Sequence, residues 1–331
     1  MTSTLREYGL AAALTLATAA AMRWRSSLLG LRWGLLVAGT LIATLTVLQL
    51  LSDRFAPDVW GFARVHEDRL DPPTPFRRAG GPYGDANFYA QALLPVLALS
   101  VEASTSPASL ATRAFGALAS GTTATALAAS LSRGALLGAA AMAAVSWPAS
   151  RRRRGLAVGA LVVGVVLLSP ARERFAGVFR AISEPAEAEG AIRGRASEMT
   201  VAWQMLRDHP LIGVGPGNYQ HHYLLYAPPL ALDDRGEPRR AHSLYLEVAA
   251  ESGLLGLALF SAILGGAVAG SWRAGRALAA TDPEGARIAA ALALGAGGYL
   301  VAGFFLHLQF PLPLYLLVGA GWGLMPSERT R

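Results

Sequence analysis

The side chains able to move a proton or hold an anion gather in one stretch, Ala191 to Gly256. It reads AIRGRASEMTVAWQMLRDHPLIGVGPGNYQ, then HHYLLYAPPLALDDRGEPRR, then AHSLYLEVAAESGLLG. Arg195, His209, His221, His222 and His242 all lie in it. His242 has the most suggestive setting. Arg239 and Arg240 precede it, and an apolar helical pattern begins directly after it. Glu247 and Glu251 then fall one turn apart on that helix, while Ser243, Leu246 and Ala250 lie near one side. An imidazole at the mouth of an apolar helix can accept a proton near neutral pH. A histidine that only caps the helix or reaches to water is the alternative at this point.

Four further elements could carry chemistry. Arg195 opens the pattern GR-x7-W-x5-HPLIGVGPGNY, in which Gly213, Gly215 and Gly217 surround Pro216 and lead to Asn218. Successive backbone N–H groups in such a turn can form an anion nest. A structural turn re-entering the apolar part of the chain is the plainer reading. Arg133, in Leu131-Ser132-Arg133-Gly134-Ala135, interrupts an otherwise apolar run. An arginine costs about 2.5–3.5 kcal/mol at mid-membrane on insertion scales, and a guanidinium binds phosphate bidentately. A helix-end arginine reaching to the headgroups is the alternative. Asn87 follows a basic, glycine-rich segment and is placed to N-cap the next helix. His221 and His222 are adjacent, so they point apart, and no ligand partners stand at metal spacing. No metal site is expected.

These residues need elements to hold them, and composition says what kind. Of 331 residues, 53% are hydrophobic and 15% are charged, with mean hydropathy +0.37. Soluble domains carry about 25% charged residues, so the chain reads as an integral membrane protein. The net charge of +7 does not mark a nucleic-acid surface. The arginines sit in short connectors between apolar runs, where orientation signals belong. There is no cysteine, which excludes disulfides, thiolate metal sites and thiol nucleophiles. No period of 20–50 residues repeats.

A membrane-crossing helix needs about 20 mostly apolar residues. Candidate spans are Tyr8–Met22, read as a first membrane helix and not a cleavable signal, Leu28–Leu51, Asn87–Val101, Ala108–Ser130, Leu131–Trp147, Gly155–Ser169, His242–Gly270, Ile288–His307 and Leu312–Met325. That is about nine, in one all-α bundle over residues 1–331. The run Arg151–Arg154 is the strongest cytoplasmic mark. The loops at 52–86 and 171–241 then fall outside, and the N-terminus with them. Both loops are charge-balanced: five basic against five acidic residues in Ser52–Gly84, and nine against nine in Ala171–Arg240.

In these elements the chain resembles the bacterial O-antigen ligase and O-antigen polymerase-like membrane proteins. The matching features are Asn87 in G-x2-G-D-A-N-F, Ser132-Arg133-Gly134, the GR…W…HPLIGVGPGNY run, and H-S-x-Y-L-E-x3-E-x-G-x2-G from His242. They span Gly80 to Gly256 in the family's order. The resemblance implies a C-type glycosyltransferase-like bundle with a large periplasmic loop, in the bacterial inner membrane. It implies transfer of a glycan from an undecaprenyl-diphosphate donor to an acceptor at the periplasmic face. The acceptor would be lipid A–core in a ligase or another lipid-linked glycan in a polymerase. No cofactor is implied, since the lipid-linked glycan is a substrate. Arg133 and Arg195 would hold the diphosphate, and His242 would activate the acceptor hydroxyl. Arg239, Arg240, Gly215, Gly217, Asn218 and Asn87 complete the expected binding set. Ser243 stands where the family commonly has asparagine, and the chain is shorter than is usual for it. A transporter of lipid-linked sugars is the rival reading, and it would spread charge through several spans in paired halves.

Overall fold

A computed structural model describes residues 2–51, 58–66, 78–146, 190–228, 238–306 and 312–325. It is mostly helical. Helices α1 (Thr2–Ala21) and α2 (Arg25–Leu51) are followed by three short strands, β1 (Asp58–Val59), β2 (Ala63–His66) and β3 (Arg78–Gly81). Then come α3 (Ala86–Thr105), α4 (Leu110–Ala129) and α5 (Arg133–Ser146). After the undescribed segment lie α6 (Gly190–Asp208), α7 (Tyr219–Tyr226), α8 (Leu244–Ala277), α9 (Pro283–Ala302), a 3-10 turn at Gly303–Phe305, and α10 (Leu312–Gly323).

Three of these are long and apolar enough to cross a membrane: α2, α8, and α9 with its 3-10 extension to Phe305. The chain is thus a membrane protein by composition and by its helices. The expected count of nine spans goes further than these three. Gly155–Ser169 and Arg151–Arg154 lie outside the described residues, as does most of the turn before α10. Of the run Leu131–Trp147, the described residues place Arg133–Ser146 in α5. Its 14 residues cover about 21 Å at 1.5 Å each, less than a ~30 Å hydrocarbon core.

The chain divides into two compact units. The first comprises Met1–Ala11, Glu173–Gly265 and Gly303–Phe310; the second comprises Ala12–Arg172, Gly266–Ala302 and Pro311–Arg331. In the second unit α3 packs on α4, α5 and α9. Small residues permit this closeness. A Cβ on Gly138 of α5 would lie 2.5 Å from the Gly298 carbonyl oxygen of α9.

The described parts of the loop after α2, residues 58–66 and 78–81, contain strands. These strands form an antiparallel sheet in the order β1-β2-β3. The hairpin turns at Trp60 and Gly61, both at positive φ, with Asp58 Oδ1 accepting from the Gly61 amide at 2.6 Å. Gln49, buried near the end of α2, donates to the Ala63 carbonyl and ties the sheet to the helix.

Charge clasps the helices of this unit at one end. Arg32 is 2% exposed inside the apolar α2. It pairs with Glu102 of α3 at 3.0 Å and with Glu284 of α9 at 3.2 Å, while Arg287 reaches the other Glu102 oxygen at 3.3 Å. Arg25 adds Asp282 at 2.8 Å and holds that carboxyl below the usual range. Asp282 in turn accepts from the Gly285 amide at the start of α9. Arg25 and Arg32 are therefore partners in a network as well as basic connector residues. Removing one member of a buried pair costs about 3–5 kcal/mol, because the other charge is left buried and uncompensated. Glu102→Ala should lower the melting temperature of the detergent-solubilised protein sharply. Thr125→Ala, on the exposed face of α4, should leave it within about 0.5 kcal/mol of wild type.

Candidate functional site

The site is built on a broken helix. Gly253 in α8 has φ 67 and ψ −169, far from helical values. Backbone groups on both sides of it lose their helical partners and must find others. The segment Pro210–Gly215 supplies them. Val214 N donates to Ala250 O and Gly215 N to Glu251 O, each at 2.9 Å. In return Leu254 N donates to Pro210 O at 2.8 Å and Leu255 N to Leu211 O at 3.4 Å. The approach requires glycine twice. A Cβ at Gly253 would meet Leu211 backbone at 2.2 Å, and one at Gly213 would meet Glu251 backbone at 2.4 Å.

The glycine turn does form a nest, and the chain fills it. Glu251, 4% exposed, accepts from Gly217 N at 2.8 Å and from Tyr219 N at 3.0 Å. With Gly215 N on the Glu251 carbonyl, the amides of Gly215 and Gly217 are spent inside the protein. This corrects the expectation that they face a phosphate: an internal carboxylate occupies the nest. Asn218 is exposed and donates to the Val214 carbonyl at 3.2 Å. It leads into α7, whose Tyr219 and Tyr223 pack in a buried cluster with Val201, Ala202 and Met205 of α6. Within what reads as polar loop in the sequence, residues 190–208 and 219–226 thus form two packed helices. Tyr219 OH donates to the Glu198 carbonyl at 2.7 Å. Burial, with the nearby Glu198 charge, pushes that phenol far above its ordinary range, so it remains a donor.

His242 sits just before α8 with φ +47, a left-handed conformation that costs a non-glycine residue roughly 1–2 kcal/mol. Carboxylates hold the backbone around it. Glu247, fully buried, takes Arg240 Nη1 on Oε1 at 2.9 Å and the Ala241 amide on Oε2 at 3.1 Å. Both oxygens therefore grip the two residues before His242. The imidazole itself meets Glu198 of α6, 3% exposed. His242 Nδ1 is 2.6 Å from Glu198 Oε2, and Arg239 Nη1 is 3.5 Å from Glu198 Oε1. Arg195 lies three residues before Glu198, so it shares that face of α6, and it is half-buried. His242, Arg239, Arg240 and Arg195 are thus gathered about α6 and the start of α8.

The other two expected residues belong to the second unit. Arg133 stands at the N-terminal end of a helix and not in its middle. It is the first residue of α5, after Leu131 at φ 52. Asn87 is not the cap of α3. Asp85 is, its side chain accepting from the amides of Asn87 and Phe88. The Asn87 side chain instead accepts from Arg78 at 2.8 Å, and Arg78 Nε donates to Ser130 O at 2.9 Å. The 4% exposed Arg78 therefore ties the Asn87 element to the turn that leads to Arg133.

Residues 118–261 match the family model described as O-antigen ligase. The chain carries an O-antigen ligase-like domain. No curated protein matches the chain. The family's members are membrane glycosyltransferase-like enzymes, which fits the apolar helices here. The matched stretch contains Arg133, Arg195, Arg239, Arg240 and His242, while Asn87 and Arg78 precede it. It also contains residues whose importance the sequence did not reveal. Glu198 carries His242 and Arg239, yet in sequence it is one glutamate in a polar segment. Its only advertisement is its spacing of three from Arg195.

The ligase-like domain should depend on the Gly253 break. Gly253→Ala adds about 1–2 kcal/mol of backbone strain and about 1–3 kcal/mol of overpacking. It should cut protein yield and melting temperature. Gly265→Ala meets nothing within 4 Å and should stabilise α8 by up to about 1 kcal/mol. Thermal unfolding of the two variants in detergent checks the contrast.

Proposed function

We propose that this protein transfers a glycan from an undecaprenyl-diphosphate donor to an acceptor hydroxyl at the periplasmic face of the bacterial inner membrane, as an O-antigen ligase. The observation that carries the reading is His242, held in a left-handed backbone just after Arg239 and Arg240, inside the family-matched stretch.

In this reading the acceptor hydroxyl gives its proton to His242 as its oxygen attacks the anomeric carbon. The bond from that carbon to the diphosphate oxygen breaks, and the electron pair leaves with the diphosphate. Charge develops on the leaving oxygens. Arg195, and on the family resemblance Arg133, hold that diphosphate, with Asn87 in the binding set. Guanidinium groups need no metal to compensate such charge. Arg239 and Arg240 present partly exposed cationic heads, whereas Glu198, Glu247 and Glu251 are buried beneath them. The face is therefore suited to an anion. Asn218, exposed at the turn, is placed to contact glycan.

The second reading is polymerisation by the same chemistry, with another lipid-linked repeat unit as acceptor. Most charged residues of the matched stretch fall in one sequence segment, residues 172–251, where a sugar transporter would spread charge through several spans; this favours either transferase.

The test is complementation of bacterial hosts lacking their own ligase or polymerase, with surface polysaccharide displayed on a gel. Wild type should restore glycan. His242→Ala, Arg195→Ala and Arg133→Ala should each lose it at equal membrane levels, a general base alone being worth about 10²–10⁴-fold. Attachment to core identifies a ligase and chain lengthening a polymerase. Restoration that survives His242→Ala and Arg195→Ala overturns the site.

A further inference from the structure

Two acceptor oxygens face the same nitrogen of His242. Glu198 Oε2 lies 2.6 Å from Nδ1, and the Arg240 carbonyl oxygen lies 3.2 Å from it. A bare lone pair on Nδ1 would be repelled by both, so Nδ1 must carry the proton. Glu198 Oε2 is fully buried, and among the described residues no hydrogen bond of good geometry reaches it; its polar contact is His242 Nδ1 at 2.6 Å. An unsatisfied buried carboxylate oxygen is costly, so the oxygen needs Nδ1–H as much as the ring needs an acceptor. Glu198 is itself anchored. The Tyr219 hydroxyl holds its main-chain carbonyl, and α6 packs by Val201, Ala202 and Met205 onto α7.

We infer that Glu198 is the positioning residue of the transfer site: it fixes His242 as the Nδ1–H tautomer and turns Nε2 towards the acceptor hydroxyl. The inference rests on the transferase reading for its catalytic meaning, but the tautomer can be observed without turnover. In water a neutral histidine prefers the proton on Nε2, which would place a donor where a base is needed. With the proton held on Nδ1, Nε2 has the lone pair. As the acceptor hydroxyl is deprotonated, its proton passes to Nε2, and the imidazolium that forms is stabilised by the Glu198 carboxylate at Nδ1–H. The proton is later released to water. The second Glu198 oxygen meets Arg239, so the same side chain sets the base and one cation of the face beside it.

The test uses the full chain in lipid nanodiscs with ring-¹⁵N histidine, at alkaline pH so that neutral histidine is observed. His242→Gln assigns the His242 signals. Wild type should show protonated Nδ1 and bare Nε2 at His242. Glu198→Gln, which keeps size but offers either an acceptor or a donor, should shift His242 towards the Nε2–H form. In the transfer assay Glu198→Gln should lower turnover on the order of 10²-fold at unchanged membrane level and donor KM. In a His242→Ala background the same substitution should cost nothing more, because there is no ring left to orient.

An Nε2–H tautomer in wild type, or a tautomer that Glu198→Gln leaves alone, overturns the inference. So does full additivity of the two substitutions, which would mark Glu198 as a packing residue only. If the tautomer depends on Glu198 but wild type transfers no glycan to any acceptor, the transferase reading fails and the positioning of His242 by Glu198 stands.

Discussion

The break at Gly253 is the constraint on which the first unit depends. A helix that stops and restarts leaves amides and carbonyls without partners, and in an apolar setting each must be satisfied by the protein. Pro210–Gly215 does this by trading two hydrogen bonds each way with the broken turn. The exchange fixes where the glycine turn enters, which fixes Gly217 and Tyr219 over Glu251, which in turn sets α7 against α6. Packing of α6 finally delivers Glu198 to His242. A single non-helical residue thus organises elements more than fifty positions apart in the chain.

Three buried carboxylates carry the consequences. Glu251 fills the nest, Glu247 grips Arg240 and Ala241, and Glu198 meets Arg239 and His242. The anions are buried and the heads of Arg239 and Arg240 stay partly open to solvent. This arrangement also supports the strained backbone of His242, since left-handed φ at a non-glycine residue persists only where its surroundings hold it.

The second unit uses charge differently. Arg32, Glu102, Arg287, Glu284, Arg25 and Asp282 form a clasp joining α2, α3 and α9. Arg78 bridges Asn87 and the turn before α5 with carbonyl and amide oxygens. Elsewhere the helices meet through glycine and alanine, as at Gly138 and Gly298, which give close approach but little directional information. The ion pairs supply the register that small apolar surfaces cannot.

The sequence by itself determined the membrane class, through composition and the lengths of α2, α8 and α9, because transfer of apolar residues into lipid depends on their number and not on their partners. It also marked the ligase-like family, because the ordered elements around Arg133, Arg195 and His242 are local patterns. It located the glycine turn and suggested a nest there. Only the tertiary structure decided what fills that nest and that Asp85 and not Asn87 caps α3. Only it separated Glu198 from the other acidic residues of its segment. Backbone periodicity specifies a helix and its face, but a buried carboxylate acquires its role from whichever distant group the packing brings to it. For Glu198 that group is a histidine 44 positions along the chain, a pairing no local pattern encodes.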